Sequence, residues 1–176
     1  LTDKVVFGHI GRLTEVKNHS FLLDVFKAVK ERMPNAVLLL AGRGPLEDKI
    51  KEKISAEGLK DSVKMLGIRN DIPDLMNLFD VFIFPSIFEG LGIVGIEAQA
   101  AGLPCFFSEG IPQEAIITDH ARRLPITISA DEWADEIVKE ISGFERKNDY
   151  DAVAKSGFDI VSSANRLQNF YIENSK

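Results

Sequence analysis

VFIFPSIFEGLGIVGIEAQAAGLPCFFS, residues 81–108, is the stretch that decides the fold. Val81–Pro85 is almost wholly apolar, as a strand covered on both faces must be. A glycine-rich turn follows, then a helix over Gly92–Ala101 stopped by Gly102, then a strand over Pro104–Ser108. Strand, turn, helix and strand in that order place two parallel strands beside each other with a helix on one face.

The same alternation extends in both directions. Upstream, Lys4–Ile10 reads as a strand and Asn18–Met33 as a helix, with apolar residues at Phe21, Leu22, Val25, Phe26, Val29 and Met33. Ala36–Ala41 is a strand of continuous apolar character, and Gly42-Arg43-Gly44-Pro45 is a turn. Leu46–Glu57 is a polar-rich helix, Val63–Leu66 a strand and Ile72–Phe79 a short helix. Downstream, Arg122–Ile128 reads as a sixth strand. Ser129 followed three residues later by Glu132 is a capping box opening a helix that carries Trp133, Ile137, Ile141 and Phe144. Asn148–Gly157 is the loosest stretch, and Ser162–Glu173 is helical. The expected fold is a doubly wound, mostly parallel six-stranded α/β sheet with helices on both faces, a Rossmann-like architecture. Such sheets bind ligands at the carboxyl ends of their strands.

Composition narrows the function. The 176 residues are 45% hydrophobic and 27% charged, ordinary for one globular domain, with no internal repeat or linker. Twenty-one basic against 27 acidic residues leave a net charge of −6, unsuited to nucleic acid or to electrostatic membrane binding. One cysteine, Cys105, excludes an intramolecular disulfide and any cysteine-rich metal site. His9, His19 and His120 look scattered, so no metal site is expected. No apolar run approaches the roughly 20 residues of a membrane helix. No signal peptide is visible, and the cytosol is the expected compartment. The chain starts at Leu1, almost directly in a strand, and so reads as a piece of something longer.

Two loops at the ligand-binding edge carry the chemistry. In Pro85–Ala98, Glu89 and Glu97 are separated by seven residues, and each is a hydrogen-bond acceptor suited to hydroxyls. Gly90 and Gly92 permit a sharp turn that leaves amide N–H groups free at the helix start, where an anion is favoured. In Gly11–Asn18, Arg12 is suited to bidentate phosphate contact and Lys17 is a point charge before a helix. A diphosphate flanked by polyhydroxy groups, as in a nucleotide sugar, satisfies the whole set.

On these residues the chain resembles the carboxyl-terminal, donor-binding domain of family 4 retaining glycosyltransferases of the two-domain GT-B fold (glycosyltransferase group 1). The resemblance rests on Gly11-Arg12-Leu13 with Lys17, on Gly42 and Gly44, and on Gly67-Ile68-Arg69-Asn70-Asp71. It continues through Glu89 and Glu97, Ala98–Pro104 and Phe158-Asp159-Ile160, covering nearly the whole chain. It implies that Arg12 and Lys17 neutralise the donor diphosphate, with Gly11 beside them. Glu89 then bonds hydroxyls of the transferred sugar and Glu97 those of the ribose. Gly90, Leu91, Gly92, Ile93 and Val94 would meet sugar and phosphates, and Ile68 and Arg69 the base. The donor is a substrate, UDP-linked by expectation, and no cofactor is implied. A missing amino-terminal domain would bind the acceptor and place the enzyme peripherally at the inner membrane face, while this domain alone binds donor and transfers little. Surface-polysaccharide synthesis is the expected setting. Two departures stand out: Leu91 replaces a frequent aromatic residue, and Gly95 replaces a larger apolar one, which implies close helix–sheet packing.

Other readings compete. Gly90-Leu91-Gly92-Ile93-Val94-Gly95 is literally G-x-G-x-x-G, and Glu109 follows the next strand as in an NAD-type dinucleotide fold. Against it, four residues separate the strand from Gly90, and the motif follows the fourth strand rather than the first. A non-catalytic nucleotide-sugar sensor is the third reading. Gly42 and Gly44 serve equally as turn residues or phosphate contacts. Asp149-Tyr150-Asp151 reads as helix capping rather than a metal-binding triplet, Cys105 and Trp133 as core, and Glu114 and Arg123 have no assigned role.

Overall fold

The computed structural model describes residues 3–175. Its strands are β1 (Val5–Ile10), β2 (Ala36–Ala41), β3 (Val63–Gly67), β4 (Val81–Phe84), β5 (Cys105–Ser108) and β6 (Ala121–Leu124). They form one sheet in the order β3-β2-β1-β4-β5-β6, with every neighbouring pair parallel. The helices are α1 (His19–Arg32), α2 (Glu47–Ala56), α3 (Ile72–Leu78), α4 (Ile93–Ala100), α5 (Ala130–Ile141), α6 (Tyr150–Val153) and α7 (Ile160–Asn174).

Period-two alternation sorts each strand's side chains between two cores. Leu38, Leu40, Ile83 and Phe106 face α1 and α5, where Trp133 is fully buried and donates its indole N–H to the Pro125 carbonyl at 2.8 Å. Val37, Leu39, Phe82, Phe84 and Phe107 face the other way, toward α3 and α4. Every residue of β2, β4 and β5 is buried, Cys105 included, which explains why their sequences are unbroken apolar runs. Gly95 behaves as the sequence implied: a Cβ there would stand 2.6 Å from the Phe107 ring, so only glycine lets α4 lie this close to β5.

The ends of several elements differ from the sequence expectation. The sixth strand stops at Leu124 rather than Ile128 because Pro125 has no N–H for the ladder, and the next amide, of Ile126, is taken by the Glu109 carboxylate at 2.8 Å. Ser129 and Glu132 do form the capping box of α5. That helix ends at Ile141, however, and Gly143, at φ +77°, turns the chain so that Phe144 packs on His120 with ring centres 5.2 Å apart. Asn148–Gly157 is not loose, since it contains α6 and a wide helical turn. Asp149 does not cap α6; its carboxylate lies 3.0 Å from His120 Nε2, and Asn148 accepts the Tyr150 amide instead. The last helix begins at Ile160, two residues early, because Asp159 receives the Ser162 amide at 2.7 Å. Beneath the sheet the Arg146 guanidinium donates to the carbonyls of Met76, Asn77 and Phe79 at the end of α3 and of Ala101 at the end of α4.

Gly8, in the middle of β1, has the least room. A Cβ on it would fall 2.2 Å from the ring of fully buried Phe79. Gly8→Ala should therefore lower unfolding stability by about 2–3 kcal/mol, the usual cost of overpacking. Urea denaturation checks it, with a reduced midpoint at unchanged slope; an unchanged midpoint would contradict this packing.

Candidate functional site

From β1 the chain winds outward to β2 and β3, then returns to β4 on the other side. The sheet therefore reverses direction between β1 and β4, the place where sheets of this kind commonly take ligands, and the loops leaving their carboxyl ends lie side by side there. Both motif loops sit there. The loop after β1 carries Gly11 and Arg12 into a tight turn at Glu15–Lys17, and the loop after β4 runs from Pro85 to Gly92.

Backbone contacts hold the two loops against each other. The Ile87 amide donates to the Val16 carbonyl at 2.7 Å, and the Glu89 amide to the Gly110 carbonyl at 3.1 Å. From the other side, the turn after β2 presses on the loop after β1. A Cβ on Gly42 would stand 1.9 Å from the Gly11 oxygen, and one on Gly44 2.4 Å from the Leu13 oxygen. Close backbone approach accounts for both glycines, and they act as turn residues that position Gly11–Leu13.

Across this seam Lys17 Nζ donates to Glu89 Oε1 at 2.5 Å. The same ammonium lies 4.5 Å from the centre of the Phe84 ring, a cation–π contact. Side-chain exposure is only 18% for Lys17 and 15% for Glu89, so the pair is shielded from bulk screening. The other two charges keep separate positions on the same edge. Arg12 is exposed on its loop and Glu97 on the second turn of α4, and neither forms an ion pair among the described residues. Partial burial raises the Glu97 carboxyl above its ordinary range.

Gly92 and Gly90 turn out to differ. Gly92 is left-handed at φ +76° and stands at the start of α4, where no side chain caps the helix. The Ile93 and Val94 amides at that start are among the N–H groups an α-helix leaves without an intrahelical partner, and Ile93 is exposed. Gly90 has no positive φ, and a Cβ there would meet open space, so the turn itself does not require it. Leu91 is half-buried against the α3–α4 core. Ile68 and Arg69 follow β3, two strands away; Ile68 is 69% exposed, and Arg69 forks onto Asp71, with Nε to Oδ1 at 2.7 Å. Arg123 is held by the Glu109 carbonyl and the Gln113 side chain, and Glu114 lies exposed next to Gln113 in the turn Gln113–Ala115. Glu109, needed as a ribose ligand in a dinucleotide fold, is committed to the Ile126 amide, and the G-x-G-x-x-G run follows β4 rather than β1.

Two histidines that looked scattered are neighbours beneath the Lys17 side chain. His9 and His19 are almost fully buried with ring centres 4.8 Å apart, and His9 also packs on Phe84 at 5.7 Å. His9 Nδ1 donates to the Ile83 carbonyl at 2.8 Å. Its Nε2, near Gly11 and the Lys17 methylenes, has no partner among the described residues. Burial, reinforced by His19 and Lys17, holds His9 well below the ordinary imidazole range. Burial and Lys17 push His19 down to about 4. Both rings are neutral near pH 7 and add no positive charge under the ammonium. A histidine inside an otherwise apolar strand was the available signal for His9; nothing local links it to a residue one helix start away. Among the described residues no cluster of three or more histidine, cysteine or acidic groups is arranged for a metal, and no helix is long and apolar enough to cross a membrane.

Comparison with known proteins places this architecture. A family model described as glycosyl transferases group 1 matches residues 1–156. EpsF of Bacillus subtilis, which carries the name of a glycosyltransferase, is 36% identical over 176 residues, covering 96% of this chain and 45% of its own length. A UDP-Gal:alpha-D-GlcNAc-diphosphoundecaprenol alpha-1,3-galactosyltransferase of Escherichia coli is 28% identical over 97% of this chain and 46% of its own. The chain thus spans about half the length of these curated relatives. Among solved structures, Anabaena HepE in complex with UDP and glucose superposes with a TM-score of 0.81 at 22% identity, over 97% of this chain and 49% of that one. The pneumococcal O-GlcNAc transferase GtfA in complex with UDP and GlcNAc gives 0.75 at 18% identity, over 97% of this chain and 36% of that one. At these identities the structural likeness is one of fold.

The buried imidazoles make stability depend on pH. Unfolded His19 takes up a proton near pH 6.5, whereas the folded residue resists until about pH 4. The stability that neutral His19 carries is complete above pH 6.5 and is lost as the pH falls to about 4; over that window it amounts to about 3 kcal/mol. His9 adds in the same direction. Urea titrations at pH 7 and 4.5 should show a smaller loss for His19→Leu than for the unsubstituted chain. Equal losses would mean that His19 is not buried in neutral form.

Proposed function

The chain belongs to the group 1 glycosyl transferases, and from that membership we propose that it is the donor-binding half of a retaining, metal-independent enzyme. The donor is a UDP-linked sugar, and the acceptor is a glycan or lipid in surface-polysaccharide synthesis, bound mainly by a second, amino-terminal domain. The single observation that carries the reading is the meeting of Lys17 and Glu89 at 2.5 Å across the reversal point of the sheet, next to the uncapped start of α4. A cation for phosphate, an acceptor for sugar hydroxyls and free amides then lie on one edge.

In this reading Arg12, Lys17 and the Ile93 and Val94 amides hold the diphosphate, with Gly11 allowing close approach. Glu89 receives hydroxyls of the transferred sugar, near Gly90, Leu91 and Gly92. Glu97 receives the ribose hydroxyls, partial burial having raised its carboxyl above the ordinary range. The base lies by Ile68 and Arg69. Cleavage of the anomeric bond leaves negative charge on the departing diphosphate. The Lys17 ammonium, already held in place, and the aligned amides stabilise that charge as it develops with little reorganisation, and the exposed Arg12 adds a second cation. Glu89 and Lys17 arrive already oriented because their loops are tied by backbone bonds rather than by the charges alone. The UDP contents of the HepE and GtfA crystals support the choice of base.

Titration calorimetry of the full chain tests the placement. Arg12→Ala should weaken UDP about tenfold, the loss of one charge-assisted contact, and leave uridine unchanged. Equal losses for both would remove Arg12 from the phosphates. Glu97→Gln should weaken uridine while leaving 2′,3′-dideoxyuridine untouched; a matching loss for the dideoxy ligand would take Glu97 off the ribose. Absence of any nucleoside diphosphate binding by the unsubstituted chain would overturn the donor-site reading itself.

A further inference from the structure

Lys17 and Glu89 are drawn together at 2.5 Å, yet the donor-site reading asks each to serve a different end of one ligand. Among the described residues each is the other's sole ionic partner. Neither loop is free to swing aside: the Glu89 amide is bound to the Gly110 carbonyl at 3.1 Å and the Ile87 amide to Val16 at 2.7 Å. The backbone therefore keeps Glu89 within reach of Lys17.

A bare diphosphate entering this edge must share the Lys17 ammonium with a carboxylate of its own sign. It also leaves a mostly buried carboxylate short of donors, which costs more here than in open water. Sugar hydroxyls make good that deficit, since they donate to the carboxylate without adding negative charge. A sugar linked to the diphosphate delivers both at once.

We propose that the Lys17–Glu89 pair makes the site read the phosphate and sugar ends of the donor together, so that Glu89 acts against the spent nucleoside diphosphate as well as for the sugar. This specificity role rests on the donor-site reading and adds to it a reason for the product to leave: once the sugar has gone, the hydroxyls that satisfied Glu89 go with it. The neutral His9 and His19 beneath Lys17 sharpen the competition, because no further positive charge lies under the ammonium to share the second anion.

The test compares affinities of the full chain for uridine, UDP and three intact donors, UDP-glucose, UDP-galactose and UDP-N-acetylglucosamine, with GDP and GDP-mannose run in parallel. Glu89→Gln keeps the shape and removes the charge. It should tighten UDP (or GDP, if that is the base bound) about tenfold, the scale of one close charge contact, while uridine stays unchanged and preference for the intact donor disappears. Glu89→Ala repeats the comparison should the glutamine variant fail to fold, with circular dichroism and uridine affinity as controls. Unchanged or weakened diphosphate binding in the variants, beside normal uridine binding, would overturn this inference and leave the donor site standing. Failure of the unsubstituted chain to bind any of these ligands would overturn both.

Discussion

Burial of β1 and β4 on both faces is the constraint from which the rest follows. A strand covered above and below by helices has only its ends exposed, so whatever chemistry it presents must lie in the loop that leaves it. Placed side by side and parallel, these two strands release their loops at the same edge, at the point where the strand order reverses. Fully buried Phe82 and Phe84 on β4 and the glycine at position 8 of β1 bring the strands, α3 and α4 into close packing; Phe84 also supplies the ring beneath the Lys17 ammonium.

The electrostatics of that edge depend on what lies behind it as much as on what faces outward. Lys17 sits above two imidazoles that burial keeps uncharged, beside an aromatic face, and next to one carboxylate. Each neighbour favours a positive charge at this spot or leaves it unopposed. Arg12 and Glu97 stay outside this arrangement, exposed, and without an ion pair among the described residues. The edge therefore divides into a preassembled centre and open flanks, and the flanks can adapt while the centre imposes its geometry.

Much of this was legible in the amino acids. The apolar runs of β2 and β4 and the capping box at Ser129 were readable because each depends on neighbours within a few residues, and glycine at 95, which faces Phe107 on β5, was marked by its departure from the family pattern. Errors fell where a distant group intervened. The sixth strand was read too long because the Ile126 amide finds the Glu109 carboxylate instead of a strand. Asp149 was read as a helix cap because its partner, His120, belongs to a different segment. Gly90 and Gly92 looked equivalent, and only the dihedral angles and the nearby Phe84 ring separate them.

By itself the sequence determined a parallel sheet with helices on both faces, and with it which charged loops follow the carboxyl ends of β1 and β4. Burial on two faces leaves a contiguous signature that needs no partner to be read. Tertiary structure alone decided that Lys17 meets Glu89, 72 residues away, while Arg12 does not, and that His9 rests on His19 under the same ammonium. Those contacts depend on strand order and on how each loop leaves its strand, and local pattern carries neither.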